Sequence, residues 1–139
     1  MKDEHCAYCM KNELLDAFGI YVCELPSSLL VLFKEQSHPG RCIVAAKEHV
    51  SEITDMTPEQ MNGFMSDVRH VAQAVHKAFQ PDKVNYGAYG DTGGHCHMHI
   101  VPKYKDEFEW GGTFAMNPAK KTLSVAEYKT LIAKHKEAL

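Results

Sequence analysis

The sequence predicts an α+β fold: a five-stranded antiparallel sheet with one long helix on one face and a further helix at the C-terminus. Three observations predict it. Short apolar runs separated by turn residues fill the first third of the chain. An apolar stripe of helical period runs from Met61 to Phe79. A strictly alternating segment, His95-Cys96-His97-Met98-His99-Ile100-Val101, then reads as a strand with three imidazoles on one face and Cys96, Met98 and Ile100 on the other. The length of 139 residues suits one domain, with residues 1–104 as its core and 105–139 as a C-terminal loop and helix.

Each element has its own grounds. Cys6-Ala7-Tyr8-Cys9 opens the chain, and a short helical segment is expected around Lys11 to Ala17. Ile20 to Leu25 reads as a first strand, Pro26-Ser27-Ser28 as a turn and Leu29 to Lys34 as a second strand. Gln36-Ser37-His38-Pro39-Gly40 punctuates the chain before a third strand, Arg41 to Ala46. Tight links between these runs favour an antiparallel meander.

Thr57-Pro58-Glu59-Gln60 is a helix start, with Thr as N-cap, Pro at the first helical position and Gln placed to complete a capping box. Met61, Phe64, Met65, Val68, Val71, Ala72, Val75 and Phe79 form the apolar stripe; His70 and His76 fall outside it. Val84 to Tyr89 is a fourth strand, with Gly87 inside it marking a close approach to the backbone. The histidine strand is the fifth, and Pro102 is expected to end its central pairing. Lys105 to Pro118 reads as a loop, and Ser124-Val125-Ala126-Glu127 as a capping box opening a helix to about Glu137.

Composition narrows the function classes. A net charge of −3 argues against a general nucleic-acid binder, which needs a basic face. No apolar run is long enough to span a bilayer and no basic-then-apolar leader is visible, so a membrane role is not expected. Five cysteines, an odd number without a leader, favour a reducing, cytoplasmic location and free thiols or metal ligands over disulfides.

Three alternating imidazoles need a partner each if buried, so a functional row is the better reading. Two chemistries fit: a histidine cluster presenting a zinc ion, or one histidine acting as nucleophile between two supporting ones. The loop in front, Gly90-Asp91-Thr92-Gly93-Gly94, offers backbone N–H groups to an anion.

The His-φ-His-φ-His-φ-φ signature, with a glycine-rich turn before it and Asn85 about ten residues upstream, resembles the histidine triad (HIT) superfamily of nucleotidyl hydrolases and transferases. The resemblance runs from Cys6 to about Tyr104. The tail with Trp110-Gly111-Gly112 and Met116-Asn117-Pro118 is similar to a bacterial subgroup of HIT proteins.

The resemblance implies that His97 is the nucleophile. It would attack the α-phosphorus of a nucleoside phosphoramidate, dinucleoside polyphosphate or related nucleotide, through a nucleotidyl-histidine intermediate. The His95 carbonyl would fix the His97 tautomer, and His99 would contact phosphoryl oxygens or assist the leaving group. Asn85 would touch the phosphate region, with Thr92 near the leaving group and the N–H groups of Gly93 and Gly94 facing developing charge. Arg41 stands where small phosphoramidases of the family carry a histidine. It is expected to hold phosphate, though as arginine it is no general acid at neutral pH.

A structural zinc follows from the same resemblance. Cys6-x-x-Cys9 by itself is equally a redox pair or two buried thiols. The family supplies two histidine ligands from positions that here are His49 and His95, completing a Cys₂His₂ set. The resemblance also implies a homodimer, a purine nucleotide substrate and C-terminal segments that reach the partner's site, by which Trp110 would help shape the pocket; a surface aromatic packed on its own loop is an equal reading of Trp110. Two alternatives stand beside it: a metal-dependent hydrolase with His95, His97 and His99 as zinc ligands, and a nucleotide-binding module without turnover.

Overall fold

Five strands form one antiparallel sheet in the order β1-β2-β3-β5-β4 in a computed structural model of the protein, which describes residues 3–139. They are β1 (Gly19–Glu24), β2 (Ser28–Phe33), β3 (Cys42–Ala46), β4 (Lys83–Gly87) and β5 (His97–Lys103). Around them lie α1 (Ala7–Met10), α2 (Glu13–Asp16), α3 (Pro58–Phe79) and α4 (Val125–Ala138), with a 3-10 turn at Ile53–Asp55. The order β-β-β-α-β-β-α expected from the sequence is the order found.

Two apolar layers hold the sheet. On one face Leu30, Leu32, Val44, Met98 and Ile100 pack against Phe64, Val68, Val71 and Val75 of α3. On the other, Val31, Phe33, Ile43 and Ala45 pack with Tyr8 and Leu15 from the N-terminal segment. Strands β2 and β3 are therefore buried on both sides at every position, which is why they read as continuous apolar runs without alternation.

The long helix begins as its sequence dictates. Thr57 Oγ1 accepts from the Gln60 N–H at 3.1 Å, and Gln60 Oε1 accepts from the Thr57 N–H at 2.9 Å. Its stripe differs at one position. Met65 is exposed, while Asp67 is buried and its Oδ2 accepts from the Ser27 N–H at 2.8 Å. The inward row is thus Phe64, Asp67, Val68, Val71, with the carboxylate satisfying the backbone of the β1–β2 turn.

Three boundaries also move. The expected segment from Lys11 to Ala17 is two one-turn helices, broken at Lys11, whose φ is +52°, and restarted where the Asn12 side chain accepts from the Leu14 N–H. Strand β4 ends at Gly87, short of the expected Tyr89. Strand β5 begins at His97, two residues later than expected, and runs through Pro102. Pro102 is tolerated because pairing with β3 stops at Ile100, so beyond it β5 has β4 alone as a neighbour.

The chain between β5 and α4 has no regular elements, yet buried charges pin it. Lys103 Nζ donates to the carbonyls of Glu109 (2.6 Å) and Gly112 (2.9 Å). Glu35 Oε2 accepts from the N–H groups of Lys120 and Lys121, and the His38 imidazole meets Glu109 Oε1 at 2.6 Å. The α4 capping box forms between Ser124 and Glu127, as expected. Among the described residues no helix is long and apolar enough to cross a membrane.

Candidate active site

Strand β5 is the middle of the site. Its register, Ala45↔His97 and Ile43↔His99 on one side and Gly87↔His99 on the other, sets both imidazoles on the face away from α3. Cys96, Met98 and Ile100 enter the α3 core, as the alternation requires. A cavity of about 790 Å³ opens over the histidine face, lined by His95, His97 and His99 together with Thr92, Gly93 and Gly94. Tyr8, Phe18, Phe33 and Ile43 form an apolar wall of the same cavity, and Tyr89, Met116 and Asn117 also border it.

His97 is held in one tautomer. Its Nδ1 lies 2.8 Å from the carbonyl oxygen of His95. A carbonyl only accepts, so Nδ1 carries the hydrogen and Nε2 keeps its lone pair for the cavity. Burial lowers the pKa of this imidazole and the carbonyl bond partly opposes the shift, which leaves the ring neutral near pH 7. Tyr8 packs against it with ring centroids 5.2 Å apart.

His99 is held from the opposite side. Its Nδ1 lies 3.1 Å from Arg41 Nη2, and its pKa is pushed down to about 3, by burial first and then by the charges of Arg41 and His97. Gly87 has no side chain because the rings of Phe114 and Tyr89 occupy that space; a Cβ there would lie 2.6 Å from Phe114 Cζ. The close approach expected at this glycine is thus made by two aromatic rings, of which Tyr89 borders the cavity.

Arg41 is wholly buried and is not part of the cavity lining. Its guanidinium sits 4.2 Å from the Phe33 ring centroid and 4.8 Å from that of Phe114. Nη1 donates to the Ala115 carbonyl at 3.0 Å and Nη2 to the Met116 carbonyl at 2.9 Å. The expected grip on phosphate is therefore not what this geometry provides: the donors that would make it are turned toward the protein. Asn85 sits opposite Val101 on β4, on the His99 face of the sheet but outside the cavity lining.

The fourth cluster is made of metal-ligand types. Among the described residues, Cys6, Cys9, His49 and His95 bring one ligand atom each to within 4.8 Å of one another. Cys6 Sγ is 3.3 Å from His95 Nδ1, Cys9 Sγ is 3.3 Å from His49 Nδ1 and 3.6 Å from His95 Nδ1, and the two Nδ1 atoms are 3.2 Å apart. Ideal tetrahedral zinc with its usual bond lengths has edges of about 3.3 Å for N–N and about 3.6 Å for N–S. The donor set fits. His95 Nε2 donates to the Ala46 carbonyl at 2.6 Å, which leaves Nδ1 unprotonated as a ligand must be, and Asp3 lies 3.8 Å from His49 Nε2. The three triad rings make no such cluster, because each Nδ1 faces a different partner.

Residues 18–106 match the HIT domain family. The chain belongs to that family. It is 32% identical over 75 residues to the asymmetrical bis(5'-nucleosyl)-tetraphosphatase of Schizosaccharomyces pombe, an alignment covering 50% of this chain and 41% of that enzyme. The chain thus spans less than half the length of this curated relative. A crystal structure of a HIT protein from Sinorhizobium meliloti shares the fold with a TM-score of 0.84 at 22% identity, covering 92% of this chain and 95% of that one. A zinc-bound HIT protein from Mycobacterium smegmatis superposes with a TM-score of 0.67 at 22% identity, covering 95% and 94%.

Set against the sequence reading, the HIT cavity gathers His95, His97, His99, Thr92, Gly93 and Gly94, and leaves out Asn85, Arg41 and Trp110. It adds Tyr8, Phe18, Phe33, Ile43 and Tyr89, apolar and aromatic residues that nothing local in the sequence marks as pocket lining. Met116 and Asn117 belong to the tail motif already noted, and they border the pocket of their own chain.

Proposed function

We propose that this HIT protein is a nucleotide hydrolase that cleaves at the α-phosphorus of a purine nucleoside phosphoramidate, dinucleoside polyphosphate or related nucleotide. The observation that carries the reading is the His97 tautomer: a neutral imidazole with Nδ1–H anchored on the His95 carbonyl and Nε2 open to a cavity of nucleotide size. The Nε2 lone pair attacks phosphorus, and the P–O or P–N bond to the leaving group breaks with its electron pair. The His97 ring then carries positive charge, which the His95 carbonyl stabilises through Nδ1–H. Water attacks the nucleotidyl-histidine, the N–P bond breaks, and the nucleoside monophosphate leaves. Net, water supplies an oxygen to phosphorus and a proton to the leaving group. N–H groups of Gly93 and Gly94 face the phosphoryl oxygens, and Thr92 borders the leaving-group side. The apolar wall of Phe18, Phe33 and Ile43 suits a flat base.

A structural zinc belongs to the same reading, supported by the tetrahedral fit of Cys6, Cys9, His49 and His95. When bound it would tie the N-terminal segment to the residue whose carbonyl orients His97. A homodimer is part of the proposal too: β4 is an edge strand of the sheet and carries the exposed Tyr86, an edge that a second copy would cover.

The test is intact mass after rapid quenching with adenosine and guanosine phosphoramidates and dinucleoside polyphosphates, for wild type and His97→Asn. A nucleotide-sized adduct on wild type alone is expected. Equal product from both proteins would overturn the nucleophile assignment. Saturable binding with neither adduct nor product would leave a binding module in its place.

A further inference from the structure

Arg41 is a costly residue to bury for the sake of tethering a loop. Moving a guanidinium out of water is unfavourable by several kcal/mol even after relaxation, on the order given for buried ions. Among the described residues no carboxylate touches it. Its contacts are two aromatic faces, two peptide carbonyls and one imidazole nitrogen, and its Nε has no hydrogen-bond partner among the described residues. A neutral amide could meet the two carbonyls at lower cost. What a neutral amide cannot do is face the imidazole without ambiguity, since it presents either an oxygen or an N–H.

Arginine has donors only. At 3.1 Å from Arg41 Nη2, His99 Nδ1 must therefore be the acceptor, and the ring hydrogen must sit on Nε2. His99 borders the cavity while Arg41 does not, so the nitrogen left for the cavity is Nε2, which has no protein partner among the described residues. The two cavity imidazoles are then set in opposite senses. His97 is locked by a carbonyl acceptor and presents a lone pair; His99 is locked by a guanidinium donor and presents an N–H.

We propose that Arg41 is a positioning residue that fixes His99 as the Nε2–H tautomer, making it a permanent hydrogen-bond donor to the phosphoryl group that His97 attacks. The same guanidinium holds the Ala115 and Met116 carbonyls, so the pocket wall formed by Met116 and Asn117 is set in register with that donor. The charged and titratable groups facing His99 are Arg41, His97 and Tyr89, and the first two oppose its protonation. His99 therefore donates without serving as a proton source for the leaving group. The role rests on the phosphoryl transfer proposed above, but the tautomer it predicts does not.

Long-range ¹H–¹⁵N correlation spectra of the imidazoles test it on the wild-type protein, with His99 assigned by its loss in His99→Gln. The expected pattern is a pyridine-type Nδ1 and a pyrrole-type Nε2; an Nδ1–H pattern overturns the proposal whatever the enzyme's activity. In Arg41→Met, which fills the slot between the two rings without a donor, His99 should become a tautomer mixture. Its kcat on an adenosine phosphoramidate should fall about 100-fold, the cost of one lost transition-state donor, with KM changed only a few-fold. Arg41→Lys, which restores a donor-only side chain, should recover part of the loss and the Nε2–H pattern, and it decides the matter if the methionine variant does not fold. Arg41→Met or Arg41→Lys with a mixed tautomer but wild-type kcat would sink the proposal. If wild type forms no adduct on His97, the hydrolase reading fails while the spectra still decide the tautomer.

Discussion

His135 makes the stability of this protein depend on pH in a calculable way. It lies on α4, is wholly buried against the Phe79 ring at 4.9 Å, and its Nε2 donates to the Gly40 carbonyl at 3.1 Å. Its other nitrogen, Nδ1, is buried without a hydrogen-bond partner among the described residues. Protonation would place a second, unsatisfied N–H and a charge in that slot, and burial lowers the pKa to about 4, with the Gly40 bond opposing. An unfolded histidine titrates near 6.5. The folded pKa is the depressed one, so the contribution is complete above about pH 6.5 and is lost as pH falls toward about 4, because only the unfolded chain takes up the proton in that window. Linkage between these two values gives a loss of about 2.5 kcal/mol at pH 4.5 relative to pH 7.5. The perturbation is His135→Gln, which keeps a donor for Gly40 and removes the titration. Urea unfolding of both proteins at pH 7.5 and pH 4.5 isolates the residue, since the other histidines cancel in the double difference. Wild type should lose about 2.5 kcal/mol more than the variant between the two pH values. Parallel losses, within about 0.5 kcal/mol, would refute the argument.

The remaining predictions concern the metal cluster and two packing positions. Wild-type protein should purify with stoichiometric zinc, and Cys9→Ser should lose it together with on the order of 3 kcal/mol of stability, read by elemental analysis and calorimetry; a metal-free wild type with an unchanged variant melt would remove the zinc. Gly40→Ala should destabilise by on the order of 2 kcal/mol, because φ is +94° and the new Cβ would lie 2.9 Å from the Phe79 ring; an unchanged melting temperature would contradict the crowding. Phe64→Ala should cost about 4 kcal/mol by denaturant titration, since Phe64 is buried at the α3–sheet interface. A loss below about 1 kcal/mol would mean that the interface collapses to fill the gap.

Local signals carried most of the fold. The alternation through Cys96, Met98 and Ile100 assigned the two faces of β5, and the Thr57 and Ser124 boxes located both helix starts, because each depends on neighbours within four residues. The pairing of Cys6 and Cys9 with His49 and His95 joins positions up to 89 residues apart, and no local pattern contains it; the family resemblance did. The direction of the Arg41 side chain is illegible in the sequence for a related reason. Its side chain could face phosphate or turn inward, and the choice is made by Phe114, Ala115 and Met116 folding back over it. Likewise nothing local to Lys103 announces its burial, which comes from the Glu109 and Gly112 carbonyls folding back to accept from its Nζ. Met65 and Asp67 exchange places on α3 because one backbone N–H, that of Ser27, needs an acceptor there.

The acceptor that orients His97 is a peptide oxygen, and this gives the site an unusual genetic character. Every residue at position 95 carries that oxygen, so replacing the His95 side chain removes one member of the Cys6, Cys9, His49 and His95 donor set while leaving the His97 anchor chemically intact. Side-chain scanning therefore reports on where the carbonyl points, never on its presence. Variation at this position trades in degrees of peptide-plane rotation, and the fidelity of the His97 tautomer becomes a property of main-chain alignment at the entrance to β5, guarded by the Cys96 N–H on the Val50 carbonyl at 2.6 Å and the Ala46 N–H on the Cys96 carbonyl at 3.0 Å.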